Sequence, residues 1–168
     1  MIKFKKGDIL CYKPLKGDWL GNAIAWFSKG HYSHTSCYIG EGKIIESHLE
    51  TGVVEKVLNP KWWDAIDTFR YPKLTTKQCN TVIEELRKRI GKGYDLPSFG
   101  ETWIGILFGW TGIRKNKPIT NDGNKYYCSE LVATAYDAAG INITPKVHYM
   151  QTTPSDIGHS KVLIKINI

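Results

Sequence analysis

Two β-rich runs separated by a short glycine-bearing loop constrain the fold of this chain more than any other feature. Residues 34–39 read HTSCYI and residues 43–48 read KIIESH, with Gly40-Glu41-Gly42 between them. Runs of this kind on either side of such a loop are typical of a β-hairpin. The same signals predict further strands over residues 7–12, 53–57 and 66–71. We therefore expect the first half of the chain to form an antiparallel sheet.

Helical periodicity predicts a second layer. A helix capped by Thr75 or Thr76 is expected to end at Gly91 or Gly93, with a buried stripe formed by Cys79, Val82, Ile83, Leu86 and Ile90. Other helices are predicted over 19–28 and 128–139, and the aromatic segment 98–113 fits either a core helix or a helix over a groove. Residues 161–168 alternate like a half-buried strand. The expected fold class is α+β, an antiparallel sheet or partial barrel packed against helices.

Length and composition limit the class of protein. The 168 residues fit a single domain over 1–168, and 42% hydrophobic residues can bury a real core. No apolar stretch follows the basic N-terminus, and the longest apolar run, 103–110, is too short to cross a bilayer, so a cytoplasmic chain without a transmembrane segment is expected. The net charge of +7 is compatible with an acidic partner, but a solvated basic surface is the preferred explanation. No Lys/Arg stripe with interleaved aromatics points to nucleic acid.

One of the four cysteines is placed differently from the others. Cys128 falls in the first turn of the helix predicted over 128–139, where unpaired backbone N–H groups and the helix dipole favour a thiolate. The thiolate is the nucleophilic form, so Cys128 is a candidate for covalent catalysis if an imidazole lies nearby. Cys11, Cys37 and Cys79 lie in predicted strands or on a helix stripe, where reduced packing thiols are expected.

His34 is a candidate for the base that serves this thiol. With a three-residue loop, Ile39 pairs with Lys43, which places His34 opposite His48 and diagonal to Glu46 on the same face. A carboxylate on one ring nitrogen fixes the tautomer and leaves the other nitrogen to take the thiol proton. A loop one residue longer or shorter would turn Glu46 away. A purely structural His34 therefore stays open as the alternative.

A zinc site is a rival interpretation of the same region. Its ligands would come from His31, His34, His48, Cys37 and Cys128. The spacing H-x-x-H-x-x-C on a strand alternates between the two faces, so these side chains would not converge on one ion. We therefore expect no metal and no other cofactor.

Several short motifs, in this chain order, resemble a known family. They are Gly7-Asp8-Ile9-Leu10, Ser33-His34-Thr35-Ser36-Cys37-Tyr38-Ile39-Gly40, Ile45-Glu46, Gly93-Tyr94-Asp95, Tyr126-Tyr127-Cys128-Ser129-Glu130-Leu131-Val132 and Thr153-Pro154-Ser155-Asp156. They are spread over nearly the whole chain, and the set is similar to the circularly permuted NlpC-like cysteine peptidases of the YiiX and YaeF type. In that family the strand histidine precedes the cysteine at a helix start, which is the order found in this chain.

The resemblance implies a permuted papain-like core and assigns a role to each matching residue. Cys128 would be the nucleophile, His34 the general base and later the general acid, and Glu46 the residue that orients the imidazole. Tyr94 would contribute to the oxyanion or substrate site beside the Cys128 backbone N–H, unless it only packs on the sheet. His48, on the same face as His34, stays open as the orienting residue in place of Glu46.

By the same resemblance, the expected function is hydrolysis of amide bonds through an acyl-enzyme, with cell-wall peptides or other bacterial amides as substrates. Two alternatives keep the same fold but assign it a different function. A lipid acyltransferase or phospholipase would use the same residues, with the segment Trp103–Trp110 contacting lipid. A non-catalytic papain-like module would serve as a binding unit, for example in a phage or envelope assembly. The expected partner is thus a peptide, amino-acid-derived or lipid substrate.

Overall fold

An antiparallel sheet is the frame of the structure, a computed structural model that describes residues 4–15, 17, 22, 25, 30–95 and 123–167. Among these residues the sheet has six strands in the order β4-β3-β2-β1-β5-β6, and each neighbouring pair is antiparallel. The strands are β1 (Ile9–Tyr12), β2 (His34–Gly40), β3 (Lys43–His48), β4 (Gly52–Val57), β5 (Ile66–Arg70) and β6 (Ile164–Ile166).

Three α-helices are found in the described part of the chain. They are α1 (Thr76–Arg87), α2 (Cys128–Ala138) and α3 (Pro154–Gly158), and two 3-10 helices span Pro60–Ala65 and Tyr149–Gln151. A capping box of Thr75 with Gln78 begins α1, and the same device, Thr153 with Asp156, begins α3. None of the described helices has the length and apolar character needed to span a membrane.

The sheet is covered on both faces. Alternation along β1 sends Ile9 and Cys11 into a large core shared with α1 and α2, while Leu10 and Tyr12 enter a smaller cluster on the opposite face. Trp62, from the first 3-10 helix, packs on that smaller cluster. Because every residue of β1 is buried, this strand lies at the centre of the fold. The structure therefore confirms the α+β class and the antiparallel sheet packed against helices.

Two predicted elements are shorter than expected. The helix α1 ends at Arg87, before Ile90, because the chain turns at Gly91 (φ +85°) and returns to the sheet, where the Gly91 N–H donates to Val53. Ile90 is therefore exposed rather than part of the buried stripe. Cys79, also assigned to that stripe, is only half-buried.

At the C-terminal end, the predicted strand over 161–168 is reduced to β6. In β6, Ile164 is exposed and Ile166 is half-buried, and the buried Leu163 lies just before the strand. The predicted apolar face is therefore only partly buried, because Val162 and Ile166 are half-buried but Ile164 is exposed. The helices predicted over 19–28 and 98–113 lie outside the described residues, apart from Asn22 and Ala25.

Gly52 lets the segment after α1 lie against the edge of the sheet. It has a φ of +66°, and a Cβ added there would lie 2.1 Å from the Lys92 backbone oxygen, which accepts a hydrogen bond from the Val53 N–H. We expect Gly52→Ala to lower the free energy of unfolding by about 3 kcal/mol, because backbone strain and a backbone clash act together. Urea denaturation measures this loss.

The matched control for Gly52 is Gly42→Ala. Gly42 also has a positive φ, +71°, but an added Cβ would meet no atom within 4 Å. Its expected loss is only about 1 kcal/mol, the strain alone. Equal losses at the two positions would show that the contact with Lys92 does not constrain the fold.

Candidate active site

Cys128 is the first residue of α2, as the sequence predicted, and its side chain is 3% exposed. Two side-chain hydrogen bonds fix this first turn to the segment before α3. The Tyr127 hydroxyl donates to the Met150 carbonyl at 2.7 Å, and the Ser129 hydroxyl donates to the Thr152 carbonyl at 2.6 Å. The sulfur therefore sits at a rigidly held helix N-terminus, where backbone N–H groups without intrahelical partners favour negative charge.

The hairpin of β2 and β3 brings a carboxylate to His34. Ser36 pairs with Glu46, which is the register predicted for this end of the hairpin. At the loop end, Gly40 pairs with Lys43, so the predicted pairing of Ile39 with Lys43 is wrong. The reason is that Glu41 and Gly42 both have positive φ and form a two-residue loop. Gly40, the third residue of the predicted loop, pairs within the strand, and a bulge between Tyr38 and Gly40 accommodates the extra residue.

His34 contacts both of the other predicted catalytic residues. Its Nε2 lies 3.0 Å from Glu46 Oε2, which leaves Nδ1 as the other ring nitrogen. The Cys128 side chain is near enough to raise the pKa of the ring. The ring packs on Tyr12, with centroids 5.2 Å apart. The structure thus brings Cys128, His34 and Glu46 together in one row, in which His34 interacts with both of the others.

The charges in this row shift two pKa values in opposite directions. Burial disfavours a charged ring, but the Cys128 sulfur and the Glu46 carboxylate outweigh it and raise the pKa of His34 to about 10. Burial also disfavours the charged carboxylate, but hydrogen bonds from His34 and Lys56 lower the pKa of Glu46 to about 2. Both shifts favour the charged forms, an imidazolium held by a carboxylate.

Tyr94 reaches the site through a short pairing of two distant segments. Gly93 forms a parallel bridge with Lys125, and the Tyr126 N–H donates to the Gly93 carbonyl at 3.0 Å. This pairing lays Tyr94 beside the stretch that leads directly into Cys128. Burial and the nearby sulfur both raise the pKa of the Tyr94 phenol, which therefore stays a neutral hydrogen-bond donor.

His48 lies next to the row without being part of it. It ends β3, is exposed, and its ring stands edge-on to His34 with centroids 6.4 Å apart. The His48 Nδ1 accepts a hydrogen bond from the Glu50 N–H at 3.4 Å. Of the two residues left open by the sequence, Glu46 is the one that contacts His34 Nε2 in the described part of the structure.

Lys56 is a member of this cluster that the sequence analysis missed. Its Nζ lies 2.5 Å from Glu46 Oε1. The pairing of β3 with β4 sets Ile44 opposite Lys56 and Glu46 opposite Val54, so Lys56 is the diagonal neighbour of Glu46 on one face. Extending the hairpin argument by one strand would have identified it.

The remaining cysteines lie in less reactive surroundings. Cys11 and Cys37 are fully buried, and burial raises the pKa of each thiol. Cys79 is half-buried, burial raises the pKa of its thiol as well, and its sulfur donates to the Lys6 carbonyl at 3.3 Å. Over the described residues, no group of three or more His, Cys, Asp or Glu side chains is arranged to hold a metal ion.

Comparisons with protein-family models and with curated protein sequences yield no match for this chain. The contacts that matter most are the hydrogen bond of His34 to the Glu46 carboxylate and its interaction with the Cys128 thiol at a helix start.

Proposed function

We propose that this protein is a cysteine-nucleophile hydrolase of amide bonds, a peptidase or amidase that acts through an acyl-enzyme on Cys128. The observation that carries the proposal is His34, which interacts with the Cys128 side chain and is hydrogen-bonded through Nε2 to Glu46 at 3.0 Å. A thiol, an imidazole and an orienting carboxylate in this order are the elements of nucleophilic acyl transfer. The chain order of the motifs supports a permuted papain-like core of the NlpC type.

In the acylation half of the reaction, His34 holds the proton of the Cys128 thiol while the sulfur attacks the amide carbon. The carbonyl oxygen takes the negative charge and accepts hydrogen bonds from the Cys128 backbone N–H and the Tyr94 hydroxyl. When the C–N bond breaks, His34 gives its proton to the departing amine. The product of this half is a thioester on Cys128.

In the second half, a water molecule attacks the thioester carbon and His34 takes one of its protons. The C–S bond then breaks, the sulfur regains a proton from His34, and a carboxylic acid leaves. Glu46 stays ionised throughout, because its role is to hold the ring and its charge rather than to accept a proton. By the family resemblance, peptide amides such as those of the bacterial cell wall are the substrate class.

Iodoacetamide at neutral pH is expected to label Cys128 faster than the other three cysteines. Only Cys128 combines an imidazole partner with a helix N-terminus, whereas burial raises the pKa of Cys11, Cys37 and Cys79. Peptide mapping by mass spectrometry over a time course measures the four rates. Cys79 is the internal control, because it is the least buried of the four. Labelling of Cys79 ahead of Cys128 would contradict an activated thiol.

A substrate panel tests the function itself. Intact-mass spectrometry after incubation with peptides, amino-acid esters and phospholipids is expected to show an acyl adduct and product from the amide or ester members. The Cys128→Ala variant, which keeps a small apolar side chain, should form neither. An adduct from lipid alone would favour an acyltransferase, and no adduct from any member would favour a binding module. Turnover retained in Cys128→Ala would overturn the mechanism.

A further inference from the structure

The Glu46 carboxylate is held at both of its oxygens. Oε2 lies 3.0 Å from His34 Nε2, and Oε1 lies 2.5 Å from Lys56 Nζ. The carboxylate belongs to a side chain that is only 3% exposed, whereas Lys56 is 49% exposed. Lys56 therefore reaches from the surface to the far side of the group that holds His34.

Two held oxygens orient a carboxylate better than one. The last torsion of a Glu side chain is broad, so a single contact at Oε2 leaves the carboxylate plane free to rotate. The contact at Oε1 removes that freedom, and the pairing of Ile44 with Lys56 across β3 and β4 keeps the lysine in place through the backbone. The direction of the hydrogen bond to His34 thus depends on Lys56.

A neighbouring ion pair shows how this one differs from an ordinary surface contact. Lys43 lies 3.4 Å from Glu55, its side chain is 45% exposed, and Glu55 also contacts Arg87. Such solvated pairs contribute little. Glu46 is almost fully buried, so the loss of Lys56 would leave a buried carboxylate oxygen without its charged partner.

We propose that Lys56 is a positioning residue of the active site, which acts through Glu46 to fix the His34 ring so that its other nitrogen serves Cys128. The inference rests on the proposed function, because a positioning role has meaning only if His34 assists the thiol. Lys56 moves no proton in this role and does not contact the reacting atoms. It fixes the geometry from which His34 acts.

Three variants test the role. Lys56→Met keeps most of the length of the side chain without its charge, Lys56→Arg keeps the charge, and Lys43→Met is the matched control on the same pair of strands. In Lys56→Met we expect the Cys128 alkylation rate and the kcat on the best panel substrate to fall by about tenfold, as is typical when an orienting partner is removed. The KM should not change, because Lys56 does not touch substrate.

Two further readouts separate positioning from a general loss of structure. Lys56→Arg should recover most of the rate, and Lys43→Met should retain the wild-type rate. The His34 Nε2–H resonance in the proton NMR spectrum should persist in the wild type and in Lys56→Arg but broaden through exchange in Lys56→Met. Should Lys56→Met fail to fold, Lys56→Gln, which is shorter and uncharged, makes the same test.

An unchanged rate and an unchanged His34 resonance in Lys56→Met would overturn the inference. A rise in KM alone would also overturn it, since that result places Lys56 in substrate binding. Failure of the proposed function would give a different set of results from failure of the inference about Lys56. In that case the wild-type Cys128 is no more reactive than Cys79, while the NMR comparison still reports whether Lys56 controls the His34 hydrogen bond.

Discussion

Replacing His34 by alanine is expected to lower kcat/KM for amide hydrolysis by roughly 10³-fold, the range typical of a lost general acid and base. His34 is the imidazole that contacts both the Cys128 sulfur and Glu46, so its removal takes away the group that moves the proton in both halves of the reaction. Steady-state kinetics on the best panel substrate measure the loss. The Cys128 alkylation rate at neutral pH should fall in parallel.

Two controls make the His34→Ala result specific. His31→Ala changes an exposed histidine three residues away and should leave the rate unchanged. Imidazole added to His34→Ala should restore part of the activity, because the space left by the ring lies beside Cys128 and is partly exposed. Near-wild-type turnover in His34→Ala would assign the proton transfer to another group, and His48, 6.4 Å from His34 between ring centroids, would be the next to replace.

Much of the site followed from local sequence patterns. The strand period of two fixed which side chains share a face with His34, and the short glycine loop set the register that brings Glu46 within reach. The helical period and Gly140 bounded α2 and so placed Cys128 at its first turn. The wrong pairing predicted for Ile39 does not affect the site, because the bulge lies at the loop end of the hairpin, beyond Ser36 and Glu46.

Other parts of the site depend on contacts between distant segments, which local patterns do not encode. Tyr94 lies near Cys128 because Gly93 bridges to Lys125, 32 positions later in the chain, and because Gly52 admits the Lys92 carbonyl at the sheet edge. Neither contact has a periodic signature. Only the family resemblance pointed to Tyr94, and the residues alone would have left it as one of nine tyrosines.

The wrongly predicted ends of helices and strands also result from contacts between distant segments of the chain. The stripe of α1 continues in sequence to Ile90, but the chain leaves the helix earlier to pair Gly91 with Val53. Tertiary hydrogen bonds at the sheet edge thus outweigh helical periodicity over the last turn. At the C-terminal end, the strand β6 is limited to the three residues that pair with Thr68, Phe69 and Arg70 of β5.

The pair of His34 and Glu46 is expected to stabilise the fold most between about pH 4.5 and 6.5, the ordinary pKa values of the two groups. The pKa of Glu46 is lowered to about 2, so its contribution is present above pH 4.5 and is lost as the pH falls through 2. The pKa of His34 is raised to about 10, so its contribution is present below pH 6.5 and is lost as the pH rises through 10. Urea denaturation of wild type and His34→Gln across this range measures the difference.

The same pKa values predict the alkaline limb of the activity. Above about pH 10 the ring of His34 loses its proton and can no longer protonate the departing amine, so kcat/KM should fall about tenfold per pH unit. The groups that face the ring are Cys128, Glu46, Tyr12 and His48. Glu46→Gln removes the one permanent negative charge among them, which should lower the pKa of His34 and move this limb to lower pH. A limb that stays in place in Glu46→Gln would show that it reports a group other than His34.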